Sequence, residues 1–539
     1  PEPKLVNILL PNNSNQSLHY DKLNRLDKIA LLKEEDLLEL KEFEYLKIGD
    51  HTSNLVSKLK FSDGETYNDI LKYKYDEKGN ITEIRQNNKL IARYKYDSLS
   101  RLVREDNLPF NKTFTYEYDA GGNILCRTEY SFTLAENLEN LLCQTFDYSY
   151  AVSGWRDQLK SYNGESFKYD VLGNPETYRG KTLTWSHGRQ LDKFGDIASY
   201  TYNASGIRTS KRFDNFTTSY YLNGNKILVQ KDASNIFTFY YGESGVIGFH
   251  LKSSGAVDSD FYYKKNAQND IIGIYSTSGE EIAKYEYDAW GNCVIKYLQE
   301  NGSYDTITSD YIYNDISIIN RFIAYKNPFR YRSYYYDFET NLYYLNSRYY
   351  DPQLGRFINA DDISTLDVTQ VTLNGLNLYT YCLNNPVNET DENGYLLFTL
   401  LIAGLIGAIV GFVTSVVSQG IQSGWNKINW NLVLFDTLFG AFTGFVSATP
   451  IGTLSMFQYV GGQLITGEEI TEKGILISFG LGVLFNGSNG MTYGKMQGKH
   501  IPKTVFVNQI EKHSAKLLSK SIGSALSYYT KHVYHKLLK

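Results

Sequence analysis

At 539 residues the chain exceeds what one hydrophobic core usually supports, so two or more domains are expected. Its 47 Tyr against 10 Pro favour pleated aromatic surfaces over extended linkers. The four cysteines, Cys126, Cys143, Cys293 and Cys382, have no CxxC or metal-like spacing, so they are read as isolated buried thiols and not as a disulfide framework or zinc site. No cofactor and no metal are expected.

The chain starts at Pro1 without a signal-peptide pattern and is read as the C-terminal portion of a longer polypeptide. Its first half is built of one recurring unit: YKYDEKGNI at 73–81, YKYDSLSRL at 94–102, YEYDAGGNI at 116–124, FKYDVLGNP at 167–175, YTYNASGIR at 200–208 and YEYDAWGNC at 285–293, with LHYDKLNRL at 18–26 as an outlier. Asp76 and Asp97 are 21 residues apart and Asp97 and Asp119 are 22, the period of a supersecondary unit. Aromatic and polar residues alternate (Tyr73, Tyr75; Tyr116, Tyr118), as in a strand with one buried face. The Asp and the later Gly-Asn supply turn chemistry, so each unit reads as a β-hairpin. A lone hairpin is marginal in water; successive hairpins must pair into a long sheet whose aromatic face is covered. A continuous antiparallel sheet is expected from about residue 73 to 337, spiralling around a cavity with Tyr and Phe directed inward. The YD pairs themselves read as exposed turns without chemistry.

Downstream lies NSRYYDPQLGRFINADD at 346–362, then NLYTYCLNNPVNETDENGYLLF at 377–398. Together with the YD units these segments resemble the Rhs/YD-repeat family and its Rhs-associated core, over roughly residues 18–395. The resemblance implies a mainly β fold in which YD hairpins spiral into a hollow shell, or cocoon, closed by the core, followed by a mainly α C-terminal tail. It also implies self-cleavage before a variable toxin tail. Carried over residue by residue, the family's catalytic carboxylates fall on Asp361 and Asp391, its supporting arginine on Arg348, and the cut between Tyr395 and Leu396. The physical requirement is a carboxylate pair with one member protonated and one ionised, biased by an adjacent cation. The sequence departs from the family pattern where Glu392 and Asp362 follow the two aspartates in place of Pro, and where 363–376 is longer than in compact members. The alternative is that both aspartates cap turns plugging the shell, with Arg348 in a buried ion pair.

Composition changes at this boundary. Residues 396–539 hold 11 Lys, no Arg and 5 acids, a net +6, which against the total of −5 leaves −11 upstream. An acidic shell around a basic tail is electrostatically coherent. The stretch LLFTLLIAGLIGAIVGFVTSVVSQ at 396–419 is long and apolar enough to cross a bilayer, and Gly404, Gly407 and Gly411 recur on one helical face. Further apolar stretches follow at 432–445 and 475–485. They read as a membrane-inserting toxin, a translocation element, or a pretoxin hairpin packed against the aromatic lining of the shell. The end, 495–539, has nine Lys and one acid, Glu511; Lys512, Lys516 and Lys520 form a basic helical stripe suited to anionic lipid or a nucleic-acid backbone. His500, His513, His532 and His535 are candidate effector residues, and KHIPKT around His500 resembles nuclease toxin tails; no HNH-like spacing or carboxylate cluster accompanies them.

The domain reading is a YD-repeat shell at 1–325, a core and self-cleavage plug at 326–395, an apolar Gly-rich region at 396–490 and a basic helical end at 491–539. The functional reading is a secreted or cell-surface polymorphic toxin that carries its own C-terminal tail into a competitor cell. Expected partners are that encapsulated tail, an immunity protein, and the target membrane or nucleic acid. The alternatives are a nuclease effector in the same shell, or a non-toxic YD-repeat adhesion protein.

Overall fold

The computed structural model describes residues 6–394, apart from 50, 65, 255–256, 309–317, 363–376 and 392–393. The tail lies outside the described residues, and with it the proposed scissile bond, the apolar segments and the four candidate histidines.

Among the described residues the chain is a β meander. Strands β1 (Asn7–Leu9) through β14 (Glu165–Ser166) pair each with the next in one antiparallel sheet, and β15 (Lys168–Tyr169) through β29 (Tyr304–Thr306) form a second in the same way. Phe167 alone separates the two. The meander therefore begins some way before the unit at 73–81, where the sequence placed its start.

Each YD unit is held by one repeated hydrogen-bond pattern. In the first full unit, Asp76 Oδ1 accepts the backbone N–H groups of Lys78 and Asn80 at 2.9 and 2.8 Å, and Oδ2 accepts the Asn80 side chain at 2.9 Å. Asp119 and Asp170 grip Asn123 and Asn174 identically. The fourth turn position is left-handed, with φ of 86° at Gly79 and 82° at Gly122, which explains the glycine there. The tyrosine just before the turn-opening Asp, or before Asn203 in one unit, sits at a β-bulge at Tyr75, Tyr96, Tyr118 and Tyr202. A bulge bends and over-twists its strand, and repeated bulges on the same edge curl the sheet.

Tyrosines at strand ends link neighbouring hairpins. The hydroxyl of Tyr96 donates to the Ile81 carbonyl at 2.6 Å, Tyr150 to Ile124 at 2.8 Å and Tyr287 to Ile271 at 2.7 Å. Their partner is the residue just past the preceding turn, so one hairpin's aromatic tip fixes the next.

The curl brings distant strands into contact. Gln16 accepts the Glu243 N–H, Lys264 binds Asp69 at 2.9 Å, and the Ala289 N–H reaches Glu105 at 2.9 Å. Strands about two hundred positions apart thus abut along a seam. The aromatic face turns inward: Tyr73, Tyr94, Tyr116, Tyr148 and Tyr178 are all buried in one apolar cluster running from Leu59 to Val387.

After helix α1 (Ile319–Lys326) the chain forms a small sheet of β30 (Tyr335–Asp337), β31 (Leu342–Tyr344), β32 (Tyr349–Asp351) and β33 (Arg356–Phe357). This plug packs on the YD turns. Asn385 binds Asn80, Asn377 binds Asn123, the Tyr379 hydroxyl binds the Gly173 carbonyl, and Tyr178 and Arg179 bind Asp351. The turns are consequently not all exposed as expected: Asn80, Asn123 and Asn174 are buried, because the plug sits on them. Arg208 and Lys211 of the shell close on Asp337 of the plug at 2.6 and 2.8 Å, all three side chains buried. Burial opposes the charge on Asp337, yet Arg208 and Lys211 hold its carboxyl below the usual range.

The cysteines are free, as expected, but only Cys382 is buried. Cys143 is exposed because it opens its strand directly after an exposed loop, where nothing covers it.

Candidate active site

The sequence RYYDPQLGRF folds as a tight hairpin. Asp351 accepts the N–H groups of Gln353 and Leu354 at 2.8 and 3.2 Å, Pro352 occupies the turn, and Gly355 is left-handed at φ 65° against the Trp290 ring. A second tight turn, closed by the Leu345 N–H on the Arg348 carbonyl at 2.9 Å, places Arg348 at the entry to β32. Asp361 follows β33, held by its own N–H on the Leu378 carbonyl at 2.9 Å. Asp391 arrives from the other side of the plug, its N–H donated to the Tyr334 hydroxyl at 2.8 Å.

These elements bring Arg348, Asp361 and Asp391 together. One guanidinium nitrogen, Nη2, lies 3.1 Å from Asp361 Oδ2 and 3.0 Å from Asp391 Oδ2. Nη1 donates to the Leu378 carbonyl at 3.3 Å, and Nε donates to the carbonyl of Gly394. The cation stacks 3.5 Å from the Phe357 ring centroid. Arg348, Asp361 and Asp391 are 2%, 3% and 1% exposed, so the cluster is shielded from bulk solvent. Two carboxylates share one cation there, which leaves one negative charge for a proton or another group to offset.

Gly394 completes the arrangement. Its φ is 70°, and a Cβ there would stand 2.6 Å from both the Leu345 carbonyl oxygen and Ser347 Oγ. Only glycine lets the backbone lie this close to the Arg348 turn. Burial above all pushes the Tyr334 phenol well above its ordinary range, and the nearby Asp391 adds to it. Sequence reasoning passed over Tyr334 and Phe357; within the run SYYYD nothing local separates Tyr334 from its neighbours. Tyr395, Leu396 and the histidines at 500, 513, 532 and 535 lie outside the described residues.

No family model matches the chain. Among curated proteins it is 32% identical over 320 residues to the tRNA3(Ser)-specific nuclease WapA of Bacillus spizizenii and, over the same length, to the tRNA nuclease WapA of Bacillus subtilis. Each match covers 57% of this chain and 12% of the relative. Toxin subunit YenC1 of Yersinia entomophaga is 24% identical over 387 residues, 60% of this chain and 36% of that protein. Over these residues the chain is similar to toxin proteins of the Rhs/YD-repeat kind. This YD-repeat chain spans about an eighth of the length of the WapA relatives it matches. Among solved structures, that of TcdB2-TccC3-Cdc42 is 20% identical with a TM-score of 0.47, covering 72% of this chain and 21% of that one.

Proposed function

We propose that the chain is the shell and releasing core of a secreted polymorphic toxin, cutting itself between Tyr395 and Leu396 by an aspartyl-type reaction and retaining its C-terminal tail as an enclosed effector. The observation that carries this reading is the junction at Arg348, where one buried cation contacts both carboxylates and the carbonyl of Gly394, one residue before the cut. In the reaction one carboxylate of the pair takes a proton from water as its oxygen attacks the Tyr395 carbonyl carbon. The other supplies a proton to the departing Leu396 nitrogen, leaving a new carboxyl end and a new amine. Arg348 fixes the segment being cut through Gly394 and offsets charge on the pair. Purified protein is expected as two associated fragments with a new N-terminus at Leu396, and Asp361→Asn as one band. A wild-type chain that stays intact, or an Asp361→Asn chain that is still cut, would overturn the assignment.

For the liberated tail, the uncharged glycine-spaced opening and the lysine-rich end favour action at or across a membrane. A second reading, a nuclease, is favoured by the WapA relatives, named as tRNA nucleases, and by the four tail histidines. The two separate cleanly: residues 396–539 should release dye from anionic liposomes, less so in high salt. Sealed liposomes with degraded RNA, and loss of degradation in His500→Ala, would instead establish the nuclease. Expression of residues 396–539 should arrest growth; a harmless tail would favour the adhesion reading, in which the shell itself is the working part.

A further inference from the structure

Asp391 reaches Arg348 from a segment that makes no strand of its own, so something else must hold it in place. Two grips do so, and both come from one five-residue stretch before β30. At one end of the approach, Arg332 Nη2 donates to the carbonyls of Pro386 and of Val387, the latter at 3.1 Å. At the other end the Tyr334 hydroxyl accepts the Asp391 N–H at 2.8 Å and lies 3.1 Å from the Tyr381 hydroxyl. The stretch is itself fastened to a shell turn. The Arg332 N–H donates to Asp270 at 2.9 Å, and Ser333 Oγ donates to the Asn269 carbonyl at 2.8 Å.

The backbone around these two tyrosines is strained. Arg332 and Ser333, just before Tyr334, have φ of 51° and 59°; Cys382, Leu383 and Asn384, just after Tyr381, have 48°, 52° and 64°. Non-glycine residues adopt the left-handed region at a cost, and such outliers gather where surrounding structure must place a group closely. Here they flank in sequence the two tyrosines whose hydroxyls meet, one of which accepts the Asp391 N–H.

Resting on the self-cleavage reading above, we propose that Tyr334 is a positioning residue for that reaction: its hydroxyl seats the Asp391 backbone, and thereby the carboxylate, on Arg348. Tyr334 touches no reacting atom in this role. Because Arg332 ties the same stretch to Asp270, the carboxylate pair assembles only once that turn of the shell has folded.

The test follows fragment appearance in full-length chain made by pulse-labelled cell-free synthesis, for wild type, Asp361→Asn, Tyr334→Phe and Asp337→Asn, across a range of pH. Tyr334→Phe should cut more slowly, on the order of tenfold to a hundredfold, the usual penalty of a small misplacement, with a displaced pH profile. Asp337→Asn, which loosens the plug elsewhere, should lower only the fraction cut and leave the profile in place. If Asp361→Asn stays intact while Tyr334→Phe cuts at the wild-type rate, the positioning role fails and self-cleavage stands. If Tyr334→Phe loses yield with an unchanged profile, like Asp337→Asn, its role is structural and the proposal is overturned. If Asp361→Asn is cut, the underlying reading itself falls.

Discussion

Replacing Asp337 by asparagine keeps the side chain's shape and removes its charge, which tests whether the plug is latched to the shell by a buried ion cluster. Asp337 is fully buried and accepts from Arg208 at 2.6 and 3.0 Å and from Lys211 at 2.8 Å. The two cations are 1% and 6% exposed, so neither can turn to water when the carboxylate goes. Glu339 remains beside Lys211 at 2.9 Å and compensates one of the two charges. The faces of Tyr335 and Tyr344, 5.0 and 4.2 Å from the Arg208 guanidinium carbon, soften the loss at the other. One buried charge is still left poorly matched, a change that costs about 3–5 kcal/mol where a partner of a buried pair is removed. Urea unfolding followed by intrinsic fluorescence measures it, and limited proteolysis of the native protein should show the plug opening first. A loss under about 1 kcal/mol, the scale of an exposed pair, would refute the latch.

Three further outcomes follow from the geometry. Burial first, and then the charge of Asp288, raises the Glu105 carboxyl above its ordinary range at the seam; a group shifted this way favours the folded state fully below its unfolded pKa of about 4 and less as pH rises. Stability should therefore fall between pH 5 and 8, and Glu105→Gln should flatten that fall in urea titrations at the two pH values; an unchanged slope would count against a buried acid there. Gly394→Ala should leave the chain uncut on a denaturing gel, because its Cβ collides with Leu345 and Ser347; normal fragments would show that the segment seats elsewhere. Tyr118→Phe removes the hydroxyl bound to the Leu102 carbonyl and should cost about 1 kcal/mol in unfolding free energy; no measurable change would mean the link between hairpins carries no weight.

Sequence reasoning foresaw the hairpins because their information is local. The Asp, the left-handed fourth position and the following Asn lie within five residues, and the aromatic alternation has the two-residue period of a strand. It named Arg348, Asp361 and Asp391 through motif resemblance alone; nothing in their spacing of 13 and 30 residues predicts that one guanidinium nitrogen joins both carboxylates. The cysteines illustrate the opposite failure, since composition says thiols tend to be buried and cannot say which strand starts beside an exposed loop.

The chain's own pattern thus determined that it is a meander of YD hairpins with one aromatic face, since turn chemistry and strand alternation act over a few residues. Only the tertiary structure decided what that face covers and what the turns hold. Bulges accumulate into a curl, the curl brings Glu105 to Ala289 and Asp69 to Lys264, and the plug settles on the turns. Tyr334 meets Asp391 across 57 residues for the same reason: contacts at that separation depend on how every intervening hairpin bends, a sum that no local window contains.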